Sequence, residues 1–142
     1  MAFLTVNWLG ILCAAIAGWL FGAVYYNALG TAWMAAQGKT KEQCKAEFDA
    51  KRGVSKFAPF ILAFIATLII GWVLYGLLAH LNAFSVRGGM ISGVLCWFGF
   101  VLTTLVVNNA FAGRSAKLTV IDAGHWLGGL VIIGAIVGWF GP

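Results

Sequence analysis

Thr119-Val120-Ile121-Asp122-Ala123-Gly124-His125-Trp126-Leu127-Gly128 opens the last of four long apolar segments. Asp122 is the only acidic residue in any of them, and His125 follows three places on. Three residues turn a helix by about 300°, so both side chains point to one side. A carboxylate at membrane depth is expensive and usually faces the interior of a bundle, which makes Asp122 a candidate site. A structural reading stands beside it. Asp122 lies five residues past Lys117, roughly 7 Å along a helix at about 1.5 Å per residue. There, near the headgroup boundary, a carboxylate can cap the first turn of its helix.

The rest of the composition agrees with a membrane setting. The 142 residues are 62% hydrophobic and 9% charged, whereas soluble domains carry about 25% charged residues. So much apolar surface exceeds what one small soluble core can bury, and long uncharged runs read as membrane spans. Three cysteines cannot form a paired framework: Cys13 and Cys96 lie in apolar segments and Cys44 in a charged loop, so all three read as free thiols. The first charged residue is Lys39. The positive region of a signal peptide is therefore missing, and the first segment is expected to remain a span.

The expected fold class is all-α, an integral membrane four-helix bundle in a single domain over 1–142. Spans are expected at about 5–30, 58–81, 88–107 and 118–140, with a polar loop at 38–56. Span one begins near Asn7 and Trp8 and carries Gly18 and Gly22, a GxxxG step that lets two backbones approach closely. It ends in Tyr25, Tyr26 and Asn27, followed by Trp33, aromatics that suit the membrane interface. Span two has Pro59 near its start, where proline is tolerated. Span three carries Gly89 and Gly93 and ends in Asn108 and Asn109; span four carries Gly124 and Gly128, then Gly134 and Gly138. These eight glycines are the expected helix-packing positions.

The polar loop contains Lys39, Lys41, Lys45, Lys51, Arg52 and Lys56 against Glu42, Glu47 and Asp49. Thr40 and Gln43 fit a capping box for a short helix over Lys41 to Arg52. Glu47 and Lys51 stand at i,i+4, the spacing of a helical ion pair, and Gly53 suits a helix end. The basic excess suits anionic lipid headgroups. Nucleic acid is not expected, because no stacking aromatics interleave the bases. With Arg114 and Lys117, the loops at 31–57 and 108–117 hold eight of the nine Lys/Arg, and only Arg87 lies on the other side. The positive-inside rule places both loops in the cytoplasm and both termini in the periplasm of a bacterial inner membrane.

Gly22-Ala23-Val24-Tyr25-Tyr26-Asn27-Ala28-Leu29-Gly30-Thr31-Ala32-Trp33-Met34, together with Asn7-Trp8, resembles a bacterial membrane family catalogued as domain of unknown function 1761. Tyr25 stands where the family pattern has Trp, and Asn27-Ala28 where it has Ser-Pro. Trp97-Phe98-Gly99-Phe100, Asn109, Phe111 and Arg114 extend the resemblance across nearly the whole chain. It implies four spans and brings no catalytic residues.

Three functional classes compete. An accessory protein, packing as a homo-oligomer or within a larger membrane complex, suits the glycine steps and the near absence of intramembrane charge. A small-molecule or proton-coupled transporter would need Asp122 and His125. An enzyme is not expected: Asp122 and His125 provide two metal ligands at most, where a catalytic zinc needs three. No metal or cofactor is expected either. The polar residues Tyr25, Tyr26, Asn27, Asn108, Asn109, Asp122 and His125 all fall on the cytoplasmic side. They are expected to converge in a small pocket there, since unpaired polar groups at that depth cost several kcal/mol.

Overall fold

The computed structural model describes residues 6–142. Among them run helices α1 (Trp8–Ala36), α2 (Lys41–Ala50), α3 (Val54–Leu81), α4 (Val86–Cys96), α5 (Thr103–Phe111) and α6 (Ala116–Phe140). A wide π-helical turn, Trp97–Leu102, joins α4 to α5 into one continuous third span. No strand occurs among the described residues. Four helices are long and apolar enough to cross a membrane, α1, α3, α4–α5 and α6, and together they form an all-α membrane bundle.

The helices overrun the expected spans. Thr5, the expected start of span one, lies outside the described residues; Asn7 caps α1 instead, its side chain accepting from the Gly10 N–H at 3.0 Å. At its other end α1 continues six residues past Gly30, to Ala36. It stops at Gly38, whose φ of +70° is a left-handed conformation that glycine adopts without strain. At 29 residues, α1 is about 44 Å long, more than a hydrocarbon core of about 30 Å. The helix therefore has more length than a perpendicular crossing needs. A similar overrun places Pro59 sixth in α3 rather than in its first turn, because the helix already begins at Val54.

Helix α2 has the capping box its sequence suggests, with Thr40 Oγ1 accepting from Gln43 N at 3.2 Å and Gln43 Oε1 from Thr40 N at 2.9 Å. The Glu47–Lys51 pair does not form. The helix ends at Ala50 and Lys51 is extended, so the i,i+4 geometry is lost. Glu47 instead binds Lys39 at 2.7 Å. That bond holds the Lys39 ammonium above the ordinary lysine range, while its own backbone N–H and the Thr40 hydroxyl hold Glu42 below the usual carboxylate range. Gly53, with φ +58°, stands at the head of α3 rather than directly behind α2.

Helix α6 is the centre of the bundle, flanked by α1 and α4, with α3 packed on α1. All three contacts are antiparallel. Along the α4–α6 seam, Gly89 lies against the carbonyl of Gly134, Gly93 against that of Leu130, and Gly138 against that of Ser85. Along α1–α6, Gly18 meets Ile133, Gly22 meets His125, Gly124 meets the Tyr25 hydroxyl and Gly128 meets the Phe21 ring. The apolar core of Ile11, Ala14, Leu74, Tyr75, Leu78, Ile133 and Val137 fills the half of the bundle nearer the two termini. In the other half the Ser115 hydroxyl donates to the Ala36 carbonyl at 2.7 Å and ties the two loop ends together.

Candidate functional site

Ser115 begins α6, its hydroxyl accepting from Leu118 N at 3.2 Å. The cap position is thus filled, and Asp122 sits nearly two turns further in. The capping role considered for it does not exist. Its carboxylate faces α1, where Oδ1 accepts from the Tyr26 hydroxyl at 2.8 Å and from Trp33 Nε1 at 3.0 Å. Tyr26 and Trp33 are seven residues apart, two turns of helix, so α1 presents both donors on one face. Among the described residues no cation pairs with Asp122; the two ion pairs, Lys39–Glu47 and Lys56–Asp49, lie in the loop region.

Two more aromatic donors close on the same turn of α6. The Tyr25 hydroxyl donates to the Ile121 carbonyl at 2.9 Å, and Trp97 Nε1 donates to the Ala123 carbonyl at 2.8 Å. Residues 121–123 are therefore gripped from both sides: by Tyr25, Tyr26 and Trp33 of α1, and by Trp97 from the π-helical turn. π-Helical turns recur at functional sites, where the wider backbone re-aims side chains.

His125, one turn deeper, sits in an aromatic box. Its ring centroid lies 4.8 Å from Tyr26, 5.0 Å from Trp126, 5.7 Å from Tyr25 and 6.2 Å from Phe21, which stacks on it. The box has room because position 22 is glycine: a Cβ there would come within 2.7 Å of His125 Nε2. Nδ1 is buried and finds no hydrogen-bond partner among the described residues. A buried polar nitrogen without a partner is costly and rare enough to require a reason.

The asparagines part company with this cluster. Asn109 is buried and donates from Nδ2 to Thr119 Oγ1 at 3.0 Å, one turn before Asp122. Asn27 and Asn108 are exposed, on faces of their helices turned away from α6. Trp33 donates to Asp122 where an asparagine amide was expected to do so, and Asn109 is engaged with Thr119 instead. The Tyr26–Trp33 spacing is the one sequence signal that could have found Trp33; position near the membrane surface had marked it only as an interface residue. Among the described residues no three His, Cys, Asp or Glu side chains gather as metal ligands.

Fold and cluster together define the class: a four-span helical membrane protein whose last helix is clasped by aromatic donors around one carboxylate. The chain belongs to the family described as protein of unknown function DUF1761, which matches residues 9–138 and so includes every residue of the cluster. No curated protein and no solved structure matches it.

Proposed function

We propose that this is a non-catalytic accessory protein of the bacterial inner membrane that works by packing with itself or within a larger membrane complex. The observation that carries this reading is the bareness of the third span. Only 11% of its most apolar stretch is buried inside the molecule, against 28% for each of the first two spans and 39% for the fourth. Phe98, Phe100 and Phe111 are 63%, 73% and 92% exposed, and a side chain at Gly99 between the first two would meet nothing within 4 Å. A glycine notch between large aromatics suits the close approach of another helix. A photoreactive phenylalanine analogue at position 100 tests this in native membranes. A protein adduct is expected, at the mass of a dimer or of a larger partner. Adducts with lipid alone would remove the reading.

The proposed orientation has both termini in the periplasm and the loops at 31–57 and 108–117 in the cytoplasm, and rests on the eight-to-one distribution of Lys/Arg. Cys44 should therefore resist a membrane-impermeant thiol reagent in intact cells and react after permeabilisation. Labelling in intact cells would invert the topology.

A second reading, a proton-coupled carrier, is favoured by one observation. The buried, unpartnered Nδ1 of His125 lies one turn from the Asp122 carboxylate. That pair could pass a proton if water reached it.

A further inference from the structure

An open groove of about 540 Å³ runs between α1 and the first half of α3, walled by Trp19, Phe57, Phe60, Ile61 and Phe64. The one polar side-chain atom of these wall residues is already occupied. Trp19 Nε1 donates to the Phe60 carbonyl at 3.1 Å, and the indole meets Phe64 edge-on at 6.2 Å. What the groove shows the membrane is therefore hydrocarbon.

Its mouth is charged. Lys56, Phe60 and Phe64 stand four residues apart, one row along α3, so the row that lines the groove begins with a lysine. Lys51 and Arg52 precede it, both exposed. Against these three cations stands one nearby acid, Asp49, whose Oδ1 is 3.9 Å from Lys56 Nζ. The Lys56 ammonium also lies 4.4 Å from the Phe48 ring centroid, which steadies it at the membrane surface. No side chain caps the first turn of α3, where Gly53 holds the cap position, so its N–H groups add to the positive field.

We infer that this groove and its basic mouth form a binding site for an anionic glycerophospholipid. Its phosphate is held by Arg52 and Lys56, and one acyl chain lies along Phe57, Phe60, Ile61 and Phe64. A zwitterionic lipid could lay its chain in the groove but would bring no net negative charge to three cations. The site depends on the membrane setting of the bundle and not on the accessory role proposed above.

Native mass spectrometry of the full chain tests it, after equilibration with equal amounts of phosphatidylglycerol and phosphatidylcholine of identical acyl chains. The natural chain should retain phosphatidylglycerol preferentially. Arg52→Gln with Lys56→Gln should reduce that preference by roughly tenfold, since each basic residue at a surface contributes several-fold to anionic-lipid binding. Arg114→Gln with Lys117→Gln removes the same charge from the other loop and should leave the preference in place. Ile61→Trp, which fills the groove, should lower the retention of both lipids. Equal loss in the two charge variants would reduce the effect to diffuse surface attraction and overturn the site. So would retention unchanged by Ile61→Trp, or equal retention of the two lipids by the natural chain. Thermal melts of each variant separate lost binding from lost folding.

Discussion

Gly89→Ala should lower the stability of the bundle by about 3 kcal/mol or more, at the top of the range for overpacking. A Cβ at Gly89 would land on the backbone carbonyl of Gly134, and one at Gly134 would land on that of Gly89. Neither neighbour is a side chain that could rotate away, so α4 and α6 would have to separate along the whole seam. Packed interiors accommodate such a change poorly. Gly30→Ala provides the comparison. Nothing lies within 4 Å of a Cβ there, and alanine, the better helix former, should raise the stability by about 0.5–1 kcal/mol. Thermal unfolding in detergent should therefore distinguish the two variants clearly. Matching melting curves would mean that the α4–α6 seam is not closed.

Asp122→Ala should cost about 2–4 kcal/mol, because hydrogen bonds to charged groups contribute roughly 1.5–3 kcal/mol each and the orphaned donors add their desolvation penalty. Both the Tyr26 hydroxyl and Trp33 Nε1 donate to the same oxygen, Oδ1. Asp122→Asn retains a carbonyl oxygen at that place and should cost only about 1 kcal/mol, the size of an ordinary neutral hydrogen bond. The alanine variant combined with Tyr26→Phe should cost less than the sum of the two, since both remove one interaction. Equal melting of the Ala and Asn variants would show that the carboxylate is not held as described. If the Asn variant melts normally yet loses the cross-linked adduct of the third span, or a measured proton flux, the carboxylate has a role beyond holding α1 to α6.

The sequence and the structure agree on architecture for a plain physical reason. Four apolar stretches longer than a bilayer is thick admit few arrangements, and the Thr40–Gln43 box marks the short helix between the first two. The helix ends were less legible. Interfacial residues such as Trp33 are amphipathic, and composition does not say whether the helix persists through them. At the candidate site, charge drew attention to Asp122 and position to Tyr25 and Tyr26, but partner choice depends on how neighbouring helices rotate against each other. Nothing in a single sequence fixes that rotation. Asparagine is the more obvious amide donor, yet an indole on the facing helix reaches Asp122 and neither Asn27 nor Asn108 does. Trp97 was harder still, because its partner is a backbone carbonyl, that of Ala123, which no pattern of side chains marks.

That change, Trp97–Leu102, acts as a phase shift within one span. A π-helical turn takes in one extra residue, and every side chain beyond it is rotated back by about 100° relative to an unbroken α-helix. Before the turn, Gly89 and Gly93 face α6; beyond it, the residue that faces α6 is Asn109, with Asn108 outside. In an uninterrupted α-helix every position beyond the turn would shift by one: Asn108 would take the place of Asn109 and meet Thr119, and Asn109 would turn outward in the place of Ala110. The hydroxyls of Thr103 and Thr104 bond back to the carbonyls of Gly99 and Phe100 at 2.8 and 2.5 Å, satisfying backbone acceptors inside the wider turn. The third span is thus two half-helices in different registers, each keyed separately to the fourth. No single helical stripe drawn through its sequence can contain both the glycines of one half and the asparagine of the other.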